Sequence, residues 1–352
     1  MAPLLFVDRH VRVGIIGMGI GIPNAKALAA NPRGRVVALC DLVPEKMNEF
    51  AKDFSEPLQR FTDYRKLCRD KNVDAVFIGT PNQLHVPMAL EAIAHGKHVL
   101  ITKPLADCER AAVKVVEAAE KAGVVNMMSL STRFNPECRY LGGLAKKKHF
   151  GELYYGRARS IRRSGIPAWN LGFIRKGGGA FRDMGVHALD AAWWLLGMPK
   201  PRTVTGVAGA KFGPRGLGYW DYNTPEKKVY KQYACDDYAG GFIRFDGGIG
   251  LQIESFWASH QPEEFQIELF GTEAGARLSP LTVYRTDAGI PQDIGMKVPK
   301  GPTAWDNIAA HFIACILDGN PCSAPLRHGM IVQQMLEALL KSAETGREVV
   351  MK

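Results

Sequence analysis

The chain has 352 residues, more than one ordinary domain needs, and its 46% hydrophobic content can supply a sizeable core. No segment approaches the roughly 18 consecutive apolar residues of a membrane span. The opening Met1-Ala2-Pro3-Leu4-Leu5-Phe6-Val7-Asp8 is too short and too poor in positive charge for a secretory signal, so a cytoplasmic protein with no membrane partner is expected.

The net charge of +10 suits an anionic ligand, yet no nucleic-acid-reading motif accompanies it, and no nucleic-acid partner is expected. The densest basic run, Lys146-Lys147-Lys148-His149, reads as a solvated helix end. The seven cysteines, Cys40, Cys68, Cys108, Cys138, Cys235, Cys315 and Cys322, form no Cys-x-x-Cys pair and read as reduced thiols. The histidines do not fall beside them at zinc-ligand spacing, so no metal site is expected.

In chain order, Val11–Ile16 is a short apolar strand, followed by a glycine-rich turn and a helix through Asn24–Ala29. Val36–Cys40 and Asp74–Gly79 are further buried strands, and His85–Ala94 is a helix. His98–Ile101 is a strand, Ala111–Ala122 a helix and Val124–Met128 a strand. Strands alternating with helices imply a doubly wound parallel sheet of Rossmann type, here assigned to residues 1–130.

After Arg133-Phe134-Asn135-Pro136 the pattern changes. Leu153–Arg163, Thr203–Ala208, Tyr238–Phe245, Gly250–Trp257 and Phe265–Phe270 read as strands with few helices between them, and Gly247-Gly248 as a hairpin turn. Trp305–Leu317 and Met330–Ala343 return to helix. Residues 131–352 are therefore expected to form an α+β domain with an open, mainly antiparallel sheet, the whole chain being α/β. Residues 213–235 lack periodicity and read as an ordered loop over a site or a mobile excursion.

Gly17-Met18-Gly19-Ile20-Gly21 lies between a strand and a helix, where glycines let the backbone approach a pyrophosphate bound at the helix N-terminus. The usual spacing would put the third glycine at 22, where this chain has Ile22. Asp41 ends the second strand, where a carboxylate accepts from ribose hydroxyls and repels a 2′-phosphate, which points to NAD rather than NADP. Thr80, Pro81, Asn82 and His85 follow the next strand at the edge where ligands bind in such sheets. Thr102-Lys103-Pro104 follows the one after; the lysine is poised to enter a cleft or is an exposed loop lysine.

The run Gly177-Gly178-Gly179-Ala180-Phe181-Arg182-Asp183-Met184-Gly185-Val186-His187 puts a carboxylate and an imidazole four residues apart. On a helix they share a face, one turn apart, and a histidine is the natural proton acceptor near neutral pH. Arg133, Arg162, Arg163, Trp169 and Asp236 are candidate substrate-binding residues, because polyhydroxylated ligands need stacking surfaces and hydrogen-bonding groups. Trp169 suits a sugar ring or the core equally, and Arg162 or Arg163 suits a carboxylate-bearing sugar or the surface. Trp193-Trp194-Leu195-Leu196 reads as core packing, and His260 has no assigned role.

Together the glycine-rich opening, Asp41, Thr80–His85, Lys103-Pro104, Arg133–Pro136 and Gly177–Asp190 resemble the glucose-fructose oxidoreductase/inositol dehydrogenase (Gfo/Idh/MocA) family of sugar and polyol oxidoreductases. Gly240–Phe245 and Phe270–Gly275 extend the resemblance over nearly the whole chain. It implies a Rossmann domain and an open-sheet domain that packs subunits into homodimers or homotetramers. It also implies catalytic Lys103, Asp183 and His187. This chain departs from the family's Glu-Lys-Pro by carrying Thr102, and from its glycine spacing at Gly21.

The expected reaction is NAD-dependent oxidation of a hydroxyl-bearing carbon of a sugar, glycoside or cyclic polyol. His187 would take the hydroxyl proton, Lys103 would bind the same oxygen, and Asp183 would orient His187 or grip a neighbouring hydroxyl. Two alternatives stay open at this point: a glycosidase or lyase working by transient oxidation and elimination, and a non-catalytic nucleotide sensor.

Overall fold

A computed structural model describes residues 9–19 and 21–351. Ile20, read as part of the phosphate loop, lies outside the described residues. The described chain forms two compact units. One comprises the residues up to Phe134 together with Pro302–Met330; the other comprises Asn135–Gly301 and the residues from Ile331 onward. This differs from a single division after residue 130, because a late segment returns to the first unit.

The first unit is built on six parallel strands: β1 (Val11–Ile16), β2 (Gly34–Cys40), β3 (Gln59–Phe61), β4 (Ala75–Ile78), β5 (His98–Thr102) and β6 (Asn126–Ser129). Their spatial order is β3-β2-β1-β4-β5-β6. This is the doubly wound arrangement, and its switch point, where ligands bind, lies between β1 and β4. The central strands are continuous apolar runs because both faces are covered, and Val13, Ile15 and Ala75–Ile78 are fully buried.

The crossovers are α1 (Ile22–Ala30), α2 (Pro44–Ala51), α3 (Tyr64–Arg69), α4 (Asn82–Ala94) and α5 (Glu109–Ala122). On α1, Asn24 is buried and its side-chain oxygen accepts from Ser129 Oγ at 2.8 Å, tying this helix to the end of β6. The short α6 (Ser131–Phe134) closes the run, and α7 (Pro136–Lys146) opens the second unit. Lys146–His149, at the end of α7, are exposed, as a solvated helix end should be.

The second unit carries a nine-stranded sheet. Its strands are β7 (Leu153–Ile161), β8 (Pro201–Gly209), β9 (Tyr238–Phe245), β10 (Gly250–Phe256), β11 (Glu264–Gly271), β12 (Ala274–Arg277), β13 (Thr282–Asp287), β14 (Ile290–Gly295) and β15 (Val349–Val350). They lie in the order β14-β13-β12-β11-β7-β10-β9-β8-β15, and every pairing is antiparallel except β7 with β10. Alternation sets one face against the core. On β7, Gly156, Ala158 and Ser160 are buried while Tyr155, Arg157 and Arg159 are half-buried on the other face.

Short helices α8 (Leu171–Ile174), α9 (Val186–Leu195) and α10 (Lys227–Tyr230) punctuate this unit. Trp193, on α9, is buried and donates to Pro199 O at 2.9 Å, the packing role read from its sequence. The β13–β14 hairpin turns at Ala288 and Gly289, with φ of 49° and 81°. Such a turn usually announces itself as Asn-Gly, and alanine in the first position hides it.

The aperiodic stretch 213–235 is ordered into three short turns, Gly213–Arg215, Trp220–Tyr222 and α10. Asp237, fully buried, anchors its start by accepting from the backbone N–H groups of Lys211, Phe212 and Gly213 at 2.7–2.9 Å. Helix α11 (Ala304–Asp318) opens with a capping box between Thr303 and Asp306 and buries Ile308, Ala309, Phe312 and Ile313 in the first unit's core. Helix α12 (Leu326–Thr345) follows. Among the described residues no helix is long and apolar enough to cross a membrane.

Candidate active site

The turn after β1 is shaped by backbone contact. Gly17 has φ of +93°, and a Cβ there would lie 2.7 Å from Gly79 O. Gly21 precedes α1, and a Cβ on it would lie 2.7 Å from the Phe77 ring, so this early third glycine performs the close packing expected of the third position. Gly19 is different. Nothing lies within 4 Å of where its Cβ would be. That open ground above a helix N-terminus is what a pyrophosphate needs, so the residues present fit a dinucleotide.

Asp41 braces the same turn. Its Oδ2 accepts from Met18 N at 2.7 Å and its Oδ1 from Val43 N at 2.9 Å. A carboxylate has lone pairs to spare beyond these two. Leu42, the next residue, is 82% exposed, an apolar surface beside the expected ribose position.

At the next strand end, Pro81 caps α4 and Asn82 begins it. His85 is fully buried on that helix, with Nε2 2.7 Å from Thr80 O and Nδ1 2.7 Å from Pro104 O. Carbonyls only accept, so the ring must donate. A neutral imidazole serves one carbonyl and a protonated one serves both. Burial pulls the pKa of His85 down, and the two carbonyls act against that pull. The ring thus links the Thr80 turn to the Lys103-Pro104 turn, whose peptide is cis. Thr102 is buried at the end of β5 and pairs in register with Ser129; Lys103 is half-buried.

Arg133 is buried in the first unit. Its Nη1 lies 3.1 Å from Ser323 O and 3.1 Å from His328 Nδ1. Burial and the neighbouring guanidinium push His328 down to about 4. Nearby, the reading that no histidine gathers with the cysteines is corrected. Helix α11 sets His311 and Cys315 one turn apart and the following loop adds Cys322, so their donor atoms lie within 4.8 Å of one another. The sequence spacing concealed this because a loop, not a motif, closes the group. His311 Nε2 already accepts from Ser323 N at 2.9 Å, which occupies the lone pair a metal would use. The Cys322 thiol and then His311 hold the Cys315 thiol well below the ordinary range, against burial.

In the second unit the glycine run leads into a helix that starts with one wide π turn, Phe181–Gly185, before α9. Such turns are rare and recur at functional sites. Asp183 sits in the π turn and His187 is the second residue of α9; both are half-buried. Trp257, fully buried at the end of β10, donates from Nε1 to Asp183 Oδ2 at 3.0 Å. Burial lowers the Arg162 pKa, and the charges of Asp183 and then Glu263 act against that pull.

Asp236 is directed at the glycine run. Its carboxylate accepts from Phe181 N at 2.9 Å and packs against Gly179, where φ of +116° and the closeness of that carboxylate both require glycine. Burial raises its pKa to about 6. Arg163 and Trp169 are exposed, and Trp169 meets Trp220 edge to face with centroids 5.5 Å apart. His260 lies against Phe212. A separate cavity of about 660 Å³ over the sheet is lined by Arg159, Glu254, Glu264 and Arg277 among others, and none of the sequence-predicted residues lines it. Trp257, Trp220, His311 and His328 were not singled out from the sequence. Nothing in their local patterns distinguishes them from core or surface residues.

A parallel sheet with a glycine turn at its switch point and an acid at the end of the neighbouring strand, followed by a mainly antiparallel sheet domain, defines a two-domain NAD-binding oxidoreductase. Residues 11–130 match the model of the oxidoreductase family with an NAD-binding Rossmann fold, and residues 139–277 match that of the GFO/IDH/MocA C-terminal domain. The chain belongs to the Gfo/Idh/MocA family.

It is 29% identical to the D-glucoside 3-dehydrogenase of Escherichia coli K12, over 96% of this chain and 97% of that protein. It is 26% identical to the scyllo-inositol 2-dehydrogenase (NAD(+)) of Bacillus subtilis, over 78% of this chain and 75% of that one. An NAD-binding oxidoreductase from Klebsiella pneumoniae has the same fold, with a TM-score of 0.83 at 25% identity over 97% of this chain and 99% of that one.

Two substitutions probe the braces. His85→Leu keeps the volume but removes the ring N–H that serves the Thr80 or Pro104 carbonyl, and should cost about 2–4 kcal/mol in urea unfolding. An unchanged midpoint would show that the clamp is unimportant.

Asp236→Asn tests the sign of a titration. The folded carboxyl titrates near 6 against 3.8 unfolded, so its contribution to stability is full below about pH 4 and is lost as pH rises through 6. The variant should therefore gain on the wild type between pH 4 and 7. Parallel stability profiles would place the folded pKa near its ordinary value.

Proposed function

We propose that this oxidoreductase oxidises a ring hydroxyl of a sugar, glycoside or cyclic polyol, with Lys103, Asp183 and His187 as its catalytic residues. The observation that carries the reading is the π turn, which holds the Asp183 carboxylate against a buried indole N–H one turn before His187. The names of the relatives support the substrate class, since one acts on D-glucosides and another on scyllo-inositol.

NAD, when bound along the Gly17–Gly21 turn with its ribose at Asp41, supplies the acceptor for the hydride leaving carbon. Thr80, Pro81, Asn82, His85 and Thr102 shape the rest of the cofactor edge. The chain's own groups manage the proton. His187 takes it from the substrate hydroxyl as general base. The Lys103 ammonium binds that oxygen and stabilises its developing negative charge. Asp183, fixed by Trp257, orients His187 or a neighbouring hydroxyl. Asp41 followed by the exposed, uncharged Leu42 would repel a 2′-phosphate without offering it a cation, which supports NAD over NADP. Seven cysteines without a disulfide support a cytoplasmic setting.

The protein is further proposed to be a homodimer or homotetramer through the open face of its nine-stranded sheet. That face carries Tyr155 between Phe242 and Phe270, and Tyr238 stacked on Phe256 at 5.8 Å. These rings have the character of an interface core.

The test is nicotinamide absorbance at 340 nm with NAD or NADP and a panel of monosaccharides, glycosides and inositols, with product analysis. Reduced cofactor should appear with NAD and one of these classes, and His187→Ala should lower kcat by about 100-fold or more while leaving NAD affinity intact. Glycoside cleavage without reduced cofactor would replace this reading by transient oxidation and elimination. Binding of NAD without any turnover on the panel would favour a sensor. Light scattering should give two or four times the 38.7 kDa chain mass, and Phe242→Asp should shift it towards monomer. A monomeric wild type would overturn the assembly.

A further inference from the structure

Two indoles of the second unit stand in solvent. Trp169 is 63% exposed and Trp220 is 41% exposed. Large apolar side chains rarely stay exposed together without something to meet. They touch edge to face, with ring planes at 82° and centroids 5.5 Å apart, and Phe173 extends the group at 6.4 Å from Trp169. The result is a corner in which one aromatic face is a floor and the other a wall.

The loop that presents Trp220 is braced. Its neighbour Tyr219 is 1% exposed and donates from its hydroxyl to Gly213 O at 3.1 Å. Tyr219 also bridges to Ile166, its carbonyl accepts from the Ser164 hydroxyl, and Trp220 N donates to Ile166 O at 3.1 Å. With Tyr219 locked inward, Trp220 is held outward. The next two residues, Asp221 and Tyr222, have φ of 54° and 58°. Left-handed backbone is costly for a bulky side chain such as Tyr222, so the loop holds a bend its sequence does not favour.

Arg162 relates the corner to the candidate site. Its Cζ lies 4.8 Å over the Trp220 ring, and the charge of the Asp183 carboxylate supports its guanidinium against burial. The guanidinium thus brings N–H donors to the edge of the outer indoles.

We infer that Trp169, Trp220 and Arg162 form a subsite for a second ring of the substrate, the aglycone or second sugar of a glycoside. A pyranose ring has an apolar C–H face and a hydroxyl rim, and an aryl aglycone has two apolar faces. Either matches an indole floor with a guanidinium at its edge. A free monosaccharide or inositol whose ring is held at Asp183 has no second ring to place there. The inference rests on the reading of Asp183 as part of the oxidising site and narrows it to glycosides.

The test reads binding without turnover. Isothermal titration of the intact protein with phenyl β-D-glucopyranoside, cellobiose and methyl β-D-glucopyranoside should rank the first two above the methyl glycoside. In Trp220→Ala the ratio of phenyl to methyl Kd should rise about tenfold, and Trp220→Phe should restore most of it. Affinity for NADH, read by its fluorescence, monitors the fold of each variant. An equal loss for all three sugars, or no change in the ratio, would overturn the subsite. So would a change in oligomeric state with sugar binding unaltered, which would make the corner a subunit contact. If the wild type binds these glycosides with the expected ratios yet oxidises none, the oxidation reading fails and the subsite stands.

Discussion

The turn after β1 and the turn after β4 meet backbone to backbone, and the nucleotide half is organised around that contact. Gly17 against Gly79, and Gly21 against Phe77, leave no room for a side chain. The first pair brings two strand ends together at the switch point of the sheet. The second lets α1 start close to β4, beside the open space over Gly19. Asp41 then fixes the outer lip of the turn through Met18 N. Only after the backbone is packed this tightly does the loop acquire its shape.

The second unit solves a related problem with acids. Asp236 and Asp237 are adjacent and both buried, yet they face different backbones. Asp237 gathers three N–H groups at the start of the loop that carries Trp220, while Asp236 holds the glycine run that leads into the π turn. Buried carboxylates are costly unless they are hydrogen-bonded, and each here is bonded to backbone. A single dipeptide thus organises the loop and the helix on which the candidate site of this unit is built.

Much of this was legible in the sequence. All the parallel strands but β3 were visible as short apolar runs, among them those ending at Gly17, Asp41 and Thr80, because strands covered on both faces have no polar alternation. The antiparallel strands from β7 to β11 were visible for the opposite reason, one face being open. β3, β12, β13, β14 and β15 were missed. β3 and β15 are only two or three residues long, β14 is mostly exposed, and the β13–β14 turn carries Ala288 where a signal residue would stand.

The Asp183–His187 spacing was readable from a helical period, but the π turn was not, since nothing in Phe181–Gly185 encodes the wider winding. Contacts formed at long range were silent altogether: Trp257 on Asp183, Tyr219 holding Trp220 outward, and Cys322 brought to His311 by a loop. Each depends on where two distant segments meet, and no local pattern records that.

The return of Pro302–Met330 to the first unit has a consequence for synthesis. Ile308, Phe312 and Ile313 of α11, with Ala324 and Leu326 beyond it, belong to the same core as β1 and α1. The dinucleotide-binding half is therefore unfinished when its own strands have left the ribosome. At about 5–20 residues per second it waits on the order of ten seconds or longer for the segment that covers α1, while the Asn135–Gly301 part of the second unit is made. Its apolar flank stays exposed in the nascent chain for that interval. The second unit is finished later still, with its residues from Ile331 onward, so both halves of this enzyme close only as the C-terminal helices emerge.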